Sequence, residues 1–405
     1  MRSLELFAGV GGLALGTSRA GFQPISLIEW DDDACATLRE NQRRRVEGMK
    51  EWPIFEGDVR EFDYRDVPED IELIAAGVPC QPFSIGGKHQ GPQDERNMFP
   101  ELIRAIRRVR PKAVLVENVK GLSRASFGKY FGYIHLMLTY PEISRKKGEP
   151  WSDHLARLER YHTHGKRDGL YYRVVHRVLN AADYGVPQKR ERVFIVAIRA
   201  DLGIEWAFPS PTHSAESLLW QQYGSFEYWE RHGIPKARIA KASPSVLLRA
   251  AKTSDAFSVL LKPWRTVRDA ITDLPTPKPN RGAEEPGLTH FLVPGAKSYE
   301  GHTGSPLDEP AKTLKAGVHG VPGGENMLAL PNGCVRYFSI RESARLQAFP
   351  DSFVFPGSWT ESMRQIGNAV PVRLAEVVAR AIAQTLVAVA SREQAWVNQH
   401  QNSNN

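Results

Sequence analysis

Short apolar runs alternate with helical stretches along the first 120 residues. The runs that predict strands are 4–7, 25–28, 54–55, 71–76 and 113–116. Between them, helical patterns are present at 13–20 and from about 98 to 110. Strands that alternate with helices predict an α/β fold, in which a parallel sheet is covered on both faces. In such sheets, ligands bind beyond the carboxyl ends of the strands.

The segment between about 140 and 200 departs from this alternation. Residues 140–170 are polar and include Arg145-Lys146-Lys147, so we expect an insertion or an exposed arm there. The composition of this arm indicates no role for it. The runs 174–179 and 193–198 then predict two more strands of the same sheet.

A second change in pattern occurs near residue 201. From there to 335, prolines and glycines are dense and periodicity is poor, which predicts a separate, loop-rich domain with short strands. Helical patterning returns after 336, and the predicted helix 371–388 is apolar on one side, as in a helix that packs on a sheet. The predicted organisation is a sheet domain at 1–200, a loop-rich domain at 201–335, a segment returning to the sheet domain at 336–392, and a flexible tail at 393–405.

Composition adds a positive charge to this picture. There are 53 Lys and Arg residues against 46 Asp and Glu residues, a net charge of +7 that permits a polyanionic partner. The 41% hydrophobic and 24% charged content is typical of a globular protein, and no apolar run approaches the roughly 20 residues of a membrane span. The N-terminus shows no signal peptide, so we expect a cytosolic, reducing compartment. Three cysteines without a CxxC pair argue against a disulfide framework or a structural zinc site.

A glycine-rich turn follows the first predicted strand. Phe7-Ala8-Gly9-Val10-Gly11-Gly12 leads into a helix, and glycines let a backbone approach a ligand closely. Glu29 ends the next strand, where a carboxylate can accept hydrogen bonds from ribose hydroxyls, and Asp58 follows the third strand, within reach of an adenine amino group. The glycine spacing differs from the dinucleotide fingerprint, so a cofactor without a pyrophosphate, such as S-adenosylmethionine, fits better than NAD. Taken singly, each feature is also compatible with an ordinary turn.

Cys80 lies in a second motif, Gly77-Val78-Pro79-Cys80-Gln81-Pro82-Phe83-Ser84. Two prolines bracket the cysteine directly after a predicted buried strand, and they stiffen its backbone. A thiolate held at a strand end can attack an electrophilic carbon. We therefore interpret Cys80 as a nucleophile, with a buried packing cysteine as the alternative.

Charged residues follow the fifth predicted strand and precede the last one. Glu117-Asn118-Val119 ends the fifth strand, and a carboxyl group partly removed from water can stay protonated and donate to a ring nitrogen. In Gln188-Lys189-Arg190-Glu191-Arg192, strand alternation puts Arg190 and Arg192 on one face, where they can hold a carbonyl oxygen or a phosphate. A capping glutamate and a solvated charge run are the alternative interpretations.

These motifs resemble those of the DNA (cytosine-5) methyltransferases, from one end of the chain to the other. In family order, the resemblance covers the first cofactor motif at 7–12, the nucleophile motif at 79–81, the acid motif at 117–119 and the Gln-x-Arg-x-Arg motif at 188–192. Two later segments resemble the motif that supports the recognition domain, at 341–347, and the closing motif that folds back to the cofactor, at 365–371. Residues 310–314 resemble the short Thr-Leu element of the recognition domain.

The resemblance implies a Rossmann-like, S-adenosylmethionine-dependent methyltransferase sheet with a loop-rich target-recognition domain at 201–335. The catalytic residues it implies are Cys80, Glu117, Arg190 and Arg192. The cofactor contacts it implies are Phe7, Gly9, Gly11, Gly12, Glu29, Trp30, Asp58, Val59, Pro79, Met98 and Asn368. The DNA contacts it implies are Gln81, Ser84, Gln188, Thr313 and Leu314. It implies no metal site.

The implied reaction takes place on a cytosine flipped out of the duplex. The Cys80 thiolate adds to C6, while Glu117 hydrogen-bonds N3 and the exocyclic amine. Arg192 holds O2 and Arg190 supports the thiolate side. C5 then takes the methyl group of S-adenosylmethionine, C5 loses its proton, and the thiolate is eliminated.

The expected partner is double-stranded DNA, for a monomeric cytoplasmic enzyme that does not contact a membrane. The enzyme would either belong with a cognate restriction endonuclease or act alone. One alternative is a tRNA cytosine-5 methyltransferase of the same fold, which the length of 201–335 disfavours. The others are a nucleotide-dependent oxidoreductase and an inactive DNA-binding regulator, and neither needs Cys80, Glu117 and Arg192 together.

Overall fold

The computed structural model of the chain describes residues 1–79, 97–165, 168–239, 241–252, 261–279, 289–300, 302–316 and 326–402. Its α-helices are α1 (Gly12–Arg19), α2 (Asp32–Arg43), α3 (Phe99–Val109), α4 (Gly128–Thr139), α5 (Trp151–Thr163), α6 (Ala215–Tyr223), α7 (Glu227–Arg231), α8 (Pro244–Lys252), α9 (Val267–Ile271), α10 (Ile340–Leu346), α11 (Trp359–Asn368) and α12 (Val372–Asn402). Its strands are β1 (Arg2–Leu6), β2 (Gln23–Glu29), β3 (Ile54–Glu56), β4 (Leu73–Gly77), β5 (Ala113–Val119), β6 (Tyr172–Asn180), β7 (Glu191–Arg199), β8 (His213–Ser214), β9 (Lys262–Pro263), β10 (Lys278–Pro279), β11 (Phe291–Leu292), β12 (Ser305–Pro306), β13 (Met327–Ala329) and β14 (Val335–Tyr337).

The chain forms two compact units whose boundaries differ from the predicted ones. Unit 1 comprises Met1–Leu179, Glu191–Pro209 and Ala375–Asn405, and unit 2 comprises Asn180–Arg190 and Ser210–Leu374. The chain passes from unit 1 to unit 2 between Pro209 and Ser210, after the compositional break near 201. The return to the sheet domain occurs at 375 and not at 336, because 336–374 packs within unit 2.

Unit 1 is built on one seven-stranded sheet with the order β3-β2-β1-β4-β5-β7-β6. The pairs β2–β3, β1–β2, β1–β4 and β4–β5 are parallel, and β7 runs antiparallel to β5. Every strand predicted within 1–200 is present, with ends that differ by a few residues. The α/β prediction is confirmed, and the carboxyl ends of β1 to β5 lie at one edge of the sheet.

A buried glutamate interrupts the apolar pattern of β1. Leu4 and Leu6 are buried, and so is Glu5 between them, since parallel strands covered by helices are buried on both faces. The hydroxyls of Ser3 and Thr17 donate to Glu5 Oε1 at 2.8 and 2.7 Å. Burial raises the pKa of Glu5 to about 7, against these two hydrogen bonds.

The predicted exposed arm at 140–170 contains a packed helix. In α5, His154, Leu155 and Leu158 are buried, and the two leucines belong to the main hydrophobic cluster of unit 1. The polar composition of the segment concealed this packing, because only one narrow face of α5 is apolar. The prediction of an exposed arm was therefore wrong for α5.

Unit 2 combines short strands with short helices. Its strands are two or three residues long, as predicted for 201–335. The four helices α6 to α9 were not predicted, and they have only five to nine residues each. Helices this short are marginal by themselves and depend on tertiary packing. For α6 and α7, a cluster around Leu218, Tyr228 and Trp229 supplies that packing.

The last helix, α12, is longer than predicted. Val378, Ala379 and Ile382 are buried, and Arg380 Nη2 donates to the carbonyl of Arg19 at the end of α1 at 3.0 Å. The helix continues to Asn402, so the predicted flexible tail from 393 is helical over most of its length. By length and composition alone, the stretch Trp359–Arg392 is apolar enough to cross a membrane, and 44% of its most apolar window is buried within the structure.

Candidate active site

The candidate active site lies at the carboxyl edge of the unit 1 sheet. Because β1, β2, β4 and β5 are parallel, they bring Phe7, Glu29, Gly77 and Glu117 to the same edge. These are the residues at which the sequence motifs begin or end. The topology therefore gathers in one place motifs that lie about 110 residues apart in the chain.

Strand register sets the neighbours at this edge. Gly77, at the end of β4, pairs with Glu117 of β5, and Val119 of β5 pairs with Arg192 of β7. Arg192 comes from the start of an antiparallel strand, which is why it reaches the edge where the parallel strands end. The predicted acid and the second predicted arginine are thereby brought together.

The glycine turn after β1 leaves open space beside its backbone. Phe7 and Gly9 have left-handed φ angles of 55° and 53°, and a Cβ placed on Gly9 would meet no described atom within 4 Å. Gly11 has φ +82°, and a Cβ there would lie 3.0 Å from a methyl group of Leu38. Helix α1 begins at Gly12 without a side-chain cap. Its first N–H groups and the open face of Gly9 suit the approach of a polar ligand.

Glu29 organises the backbone around this turn. Its Oε2 accepts from Gly9 N at 2.6 Å, and its Oε1 accepts from Trp30 N at 3.0 Å and Asp31 N at 2.9 Å. Burial raises the pKa of Glu29, and the three N–H donors act in the opposite direction. A carboxylate oxygen can accept two hydrogen bonds, so Oε2 retains capacity for a ligand hydroxyl.

Two predicted cofactor residues present polar or aromatic groups near the strand ends. Trp30 is 72% exposed, which is unusual for so large an apolar ring. Asp58 is half-buried, and Arg60 donates to both of its oxygens at 2.5–3.0 Å. This contact lowers the pKa of Asp58. Asp58 can accept from an adenine amino group only if Arg60 gives up part of this contact.

The remaining predicted cofactor residues of unit 1 have apolar side chains. Val59 is buried, and Phe7 and Met98 pack against the same hydrophobic cluster as Val59. Met98 is the residue immediately before α3. Pro79 is exposed after β4.

The nucleophile motif is only partly described. Cys80, Gln81 and Ser84 lie outside the described residues, so their predicted roles stay predictions. The described part of the motif is contacted by Asn118, whose Nδ2 donates to the carbonyl of Val78 at 3.0 Å. Asn118 is buried and holds the backbone two residues before Cys80. The sequence placed Asn118 in the acid motif but indicated no function for it.

Glu117 and Arg192 form an ion pair. Arg192 Nε lies 3.0 Å from Glu117 Oε1, and the two side chains are only 14% and 9% exposed. A second donor of the guanidinium, Nη1, binds the carbonyl of Glu191 at 2.8 Å. One carboxyl group and one planar cation, both largely out of water, can bind a planar polar ring by its edge.

Gln188 has a different environment from the one predicted. It is fully buried within unit 2, where its Nε2 donates to the carbonyl of Leu346 at 3.0 Å and its Oε1 accepts from Leu314 N at 3.0 Å. The side chain therefore has no surface to offer DNA in this structure. Its amide joins the Thr-Leu element to the end of α10.

Arg190 likewise makes its contacts within unit 2. Its guanidinium is fully buried and donates to the carbonyls of Leu314, Gly367 and Ala369 at 3.0, 2.6 and 3.1 Å. Arg190 and Arg192 thus have separate partners, and the expected strand alternation does not apply to Arg190, because β7 begins at Glu191. The predicted support of the thiolate by Arg190 stays a prediction.

The other predicted residues of unit 2 lie around these carbonyls. Leu314 is buried and Thr313 is half-buried, and the Thr313 hydroxyl donates to the carbonyl of Lys189 at 2.8 Å. The DNA contacts predicted for both residues stay predictions. Asn368 ends α11 and is exposed. A Cβ on the preceding Gly367 would collide with the backbone of residues 315–316, so only glycine allows this close approach.

A family comparison decides the identity of this arrangement. The family model of the C-5 cytosine-specific DNA methylases matches residues 1–139 and 158–384, which is most of the chain. The chain belongs to the C-5 cytosine-specific DNA methylases. This methylase is accordingly a DNA (cytosine-5) methyltransferase, and the predicted family and reaction type are confirmed. Residues 140–157 lie outside the match, whereas 158–170, the rest of the expected insertion, lie inside it.

Individual relatives agree with this assignment. The methylase is 32% identical over 388 residues to the type II methyltransferase M.Eco47II of Escherichia coli, covering 95% of this chain and 79% of that protein. It is 30% identical over 387 residues to M.NgoMIV of Neisseria gonorrhoeae, covering 95% and 97%. The crystal structure of the S. pombe Dnmt2 methyltransferase shares its fold, with a TM-score of 0.53, 17% identity, and coverage of 96% and 99% of the two chains.

Proposed function

We propose that this methylase transfers the methyl group of S-adenosylmethionine to C5 of a cytosine flipped out of a specific double-stranded DNA sequence. The observation that carries the proposal is the Glu117–Arg192 pair at the sheet edge. Cytosine presents N3 and its exocyclic amine beside O2 along one edge of its ring. A carboxyl group can hydrogen-bond N3 and the exocyclic amine, and a guanidinium can donate to O2. The pair is therefore complementary to that edge of the base.

Cys80 is the proposed nucleophile. C5 of cytosine is a weak nucleophile inside an aromatic ring, and addition of the Cys80 thiolate to C6 removes that aromaticity. S-adenosylmethionine supplies an electrophilic methyl group when it is bound. The C5 proton then leaves to a base, and Cys80 is eliminated to restore the ring. Asn118, through the carbonyl of Val78, holds the backbone that leads to Cys80.

The Glu117–Arg192 contact has to open when the base enters. Arg192 Nε lies 3.0 Å from Glu117 Oε1, so the two groups occupy each other before a base is bound. If Arg192 turns to cytosine O2, the carboxyl group of Glu117 is released from this contact and can face N3 and the exocyclic amine. The incoming base thereby replaces the ion pair.

The described residues of the cofactor edge fit S-adenosylmethionine. Glu29 retains an acceptor for a ribose hydroxyl, and Trp30 offers an exposed aromatic face for stacking. Val59 and Met98 provide apolar surface from one cluster. Asp58 would accept from the adenine amino group once Arg60 yields. Pro79 and Asn368 are further proposed contacts on the strength of their motifs.

Unit 2 is the proposed target-recognition unit. Reaching C5 requires the base to leave the duplex, at an unstacking cost of a few kcal/mol. We infer that residues 210–335 contact base edges in the major groove, with Thr313 as the member of the Thr-Leu element that is not buried. The surplus of positive charge would bind phosphates and position the duplex without reading its sequence.

The biological setting proposed here follows from the relatives. Because they are named type II methyltransferases, we propose that this enzyme protects DNA within a restriction–modification system, with a cognate endonuclease as a functional partner. We propose that it acts as a monomer in the cytoplasm. The alternative substrate is tRNA, which an enzyme of this fold could methylate with the same residues.

The decisive experiment presents the purified protein with labelled S-adenosylmethionine and either bacterial duplex DNA or bulk tRNA. We expect label in 5-methylcytosine of the DNA and none in the tRNA. A duplex with 5-fluorocytosine at the target should trap a covalent adduct, since fluorine cannot leave C5 as a proton does. Cys80→Ser should form no adduct. Label confined to tRNA would refute the DNA proposal.

A further inference from the structure

Asn97 links the start of α3 to helix α4. Its Nδ2 donates to Tyr130 Oη at 2.5 Å, and its Oδ1 accepts from Phe99 N at 3.3 Å. The two ends of one amide group thus bind α4 and the first turn of α3. Met98 lies between Asn97 and Phe99 and is the N-cap residue of α3. Met98 itself makes no side-chain cap, and the Asn97 amide supplies a side-chain contact to this helix start.

The insertion packs against the same tyrosine. Trp151, the first residue of α5, has its ring centroid 5.7 Å from that of Tyr130, in an edge-to-face arrangement at 81°. The tryptophan ring also lies 5.6 Å from that of Tyr133, one helical turn along α4. Burial raises the pKa of Tyr130, so its hydroxyl keeps its proton at neutral pH. Trp151 belongs to 140–157, the segment outside the family match, so this contact is an addition to the family fold.

We propose that the insertion positions Met98 at the cofactor site, acting through Trp151, Tyr130 and Asn97. The proposal rests on the proposed S-adenosylmethionine role of that site. Trp151 restricts the Tyr130 ring, and the Tyr130 hydroxyl restricts the Asn97 amide. Asn97 in turn fixes the backbone on which Met98 is placed.

Met98 is the residue on which these contacts converge, because of what it packs against. It lies on the hydrophobic cluster that contains Val59 and against which Phe7 also packs, and both of these residues belong to the cofactor edge. Methionine has three rotatable bonds in its side chain, so its own rotamer preferences define its position poorly. A backbone held from both sides compensates for that freedom. Tyr130, Asn97 and Trp151 are therefore positioning residues, and Met98 is the group that would touch the ligand.

The test begins with Tyr130→Phe, which removes one hydroxyl and keeps the ring contact with Trp151. We expect the dissociation constant for S-adenosylmethionine, measured by calorimetry, to rise about threefold to tenfold, as for loss of one partly coupled neutral hydrogen bond. Affinity for target DNA should stay within about twofold. In steady state, KM for S-adenosylmethionine should rise while kcat changes little.

Tyr133→Phe is the matched control. It removes a buried hydroxyl from the same helix, next to the same tryptophan, and that hydroxyl contacts His154 Nδ1 at 2.7 Å. We expect it to lower the melting temperature about as much as Tyr130→Phe and to leave cofactor affinity at the wild-type value. Trp151→Ala should weaken cofactor binding, and Trp151→Phe, which keeps an aromatic edge, should restore most of it.

The outcomes separate this inference from the proposed function. If Tyr130→Phe binds S-adenosylmethionine as tightly as wild type, or if Tyr133→Phe loses as much affinity, the positioning role is overturned. If the wild-type protein itself does not bind S-adenosylmethionine, the proposed cofactor fails, and the inference fails with it.

Discussion

Arg192 Nε lies 3.0 Å from Glu117 Oε1, with both side chains largely withdrawn from water. Each residue is the charge partner of the other before any base is bound. The same two residues are proposed to bind the edge of cytosine, so the base has to replace a contact that already exists. Entry of the base is thereby coupled to opening of the ion pair.

Removal of Arg192 should therefore damage both folding and catalysis. Arg192→Ala removes the cation of an ion pair that is largely withdrawn from water, and we expect a loss in the free energy of unfolding of about 3 kcal/mol in urea titration. Methyl transfer should fall about 100-fold or more, as when one preorganised donor is lost. Arg192→Lys keeps the charge but not the planar fork, so its rate should be intermediate.

A second variant separates these two effects. Glu117→Gln combined with Arg192→Ala removes both charges and should recover most of the stability without recovering activity. If Arg192→Ala alone is as stable as wild type, the ion pair contributes little to the fold. If it is also as active, Arg192 does not bind the base.

Cys80→Ala should abolish methyl transfer and preserve binding of S-adenosylmethionine and DNA, because only the covalent step is lost. The measurements are label transfer under single-turnover conditions and calorimetric binding of each ligand. Methylation by the purified variant within about tenfold of the wild-type rate would exclude Cys80 as the nucleophile.

Glu29→Ala should weaken S-adenosylmethionine binding by about 1–3 kcal/mol in calorimetry, typical of leaving a charged hydrogen-bond partner unmet. Some of this loss will come from the backbone, because Glu29 also accepts from the N–H groups of Gly9, Trp30 and Asp31. Glu56 is the matched control, since it ends the neighbouring strand and pairs with Arg39 at the surface. Equal losses from Glu56→Ala and Glu29→Ala would contradict the ribose role.

Glu5 should make the stability of the protein depend on pH. Its ordinary pKa of 4.5 is raised to about 7 in the fold, so between these values the folded protein holds a proton that the unfolded chain releases. Stability contributed by this proton is complete below about pH 4.5 and is lost as the pH rises to about 7, a change of about 3 kcal/mol.

Glu5→Gln should abolish that slope, because glutamine does not titrate. Urea titrations of both proteins at pH 5 and pH 8 would measure it, and the variant should be the more stable of the two at pH 8. Parallel pH profiles for wild type and variant would show that Glu5 ionises normally in the fold.

A graft should locate sequence recognition. Replacement of residues 210–335 by the corresponding residues of a relative with another target sequence should transfer that target, since each good bidentate base contact discriminates by about 1–3 kcal/mol. Bisulfite sequencing of DNA from cells that express the chimera would read the sites. An active chimera that keeps the original sites would place recognition elsewhere, and 140–157 would be the next segment to exchange.

The sequence by itself determined the strands of the sheet and which residues lie at its carboxyl edge. Alternating apolar runs indicated the strands, and a glycine turn, a strand-end glutamate and an acid motif marked where those strands stop. These features are local, because each depends on neighbours within a few residues. The parallel topology then requires Phe7, Glu29 and Glu117 to meet, which is why these placements could be predicted.

Only the tertiary structure decided how the charged and polar residues are partnered. Arg190 binds the carbonyl of Leu314 across 124 residues and that of Gly367 across 177 residues. No local pattern distinguishes such an arginine from Arg192, two positions away, which pairs with Glu117. Gln188 is likewise polar in sequence and fully buried in the fold. The partners of a long polar side chain depend on which distant segments pack beside it, and packing is a property of the whole chain.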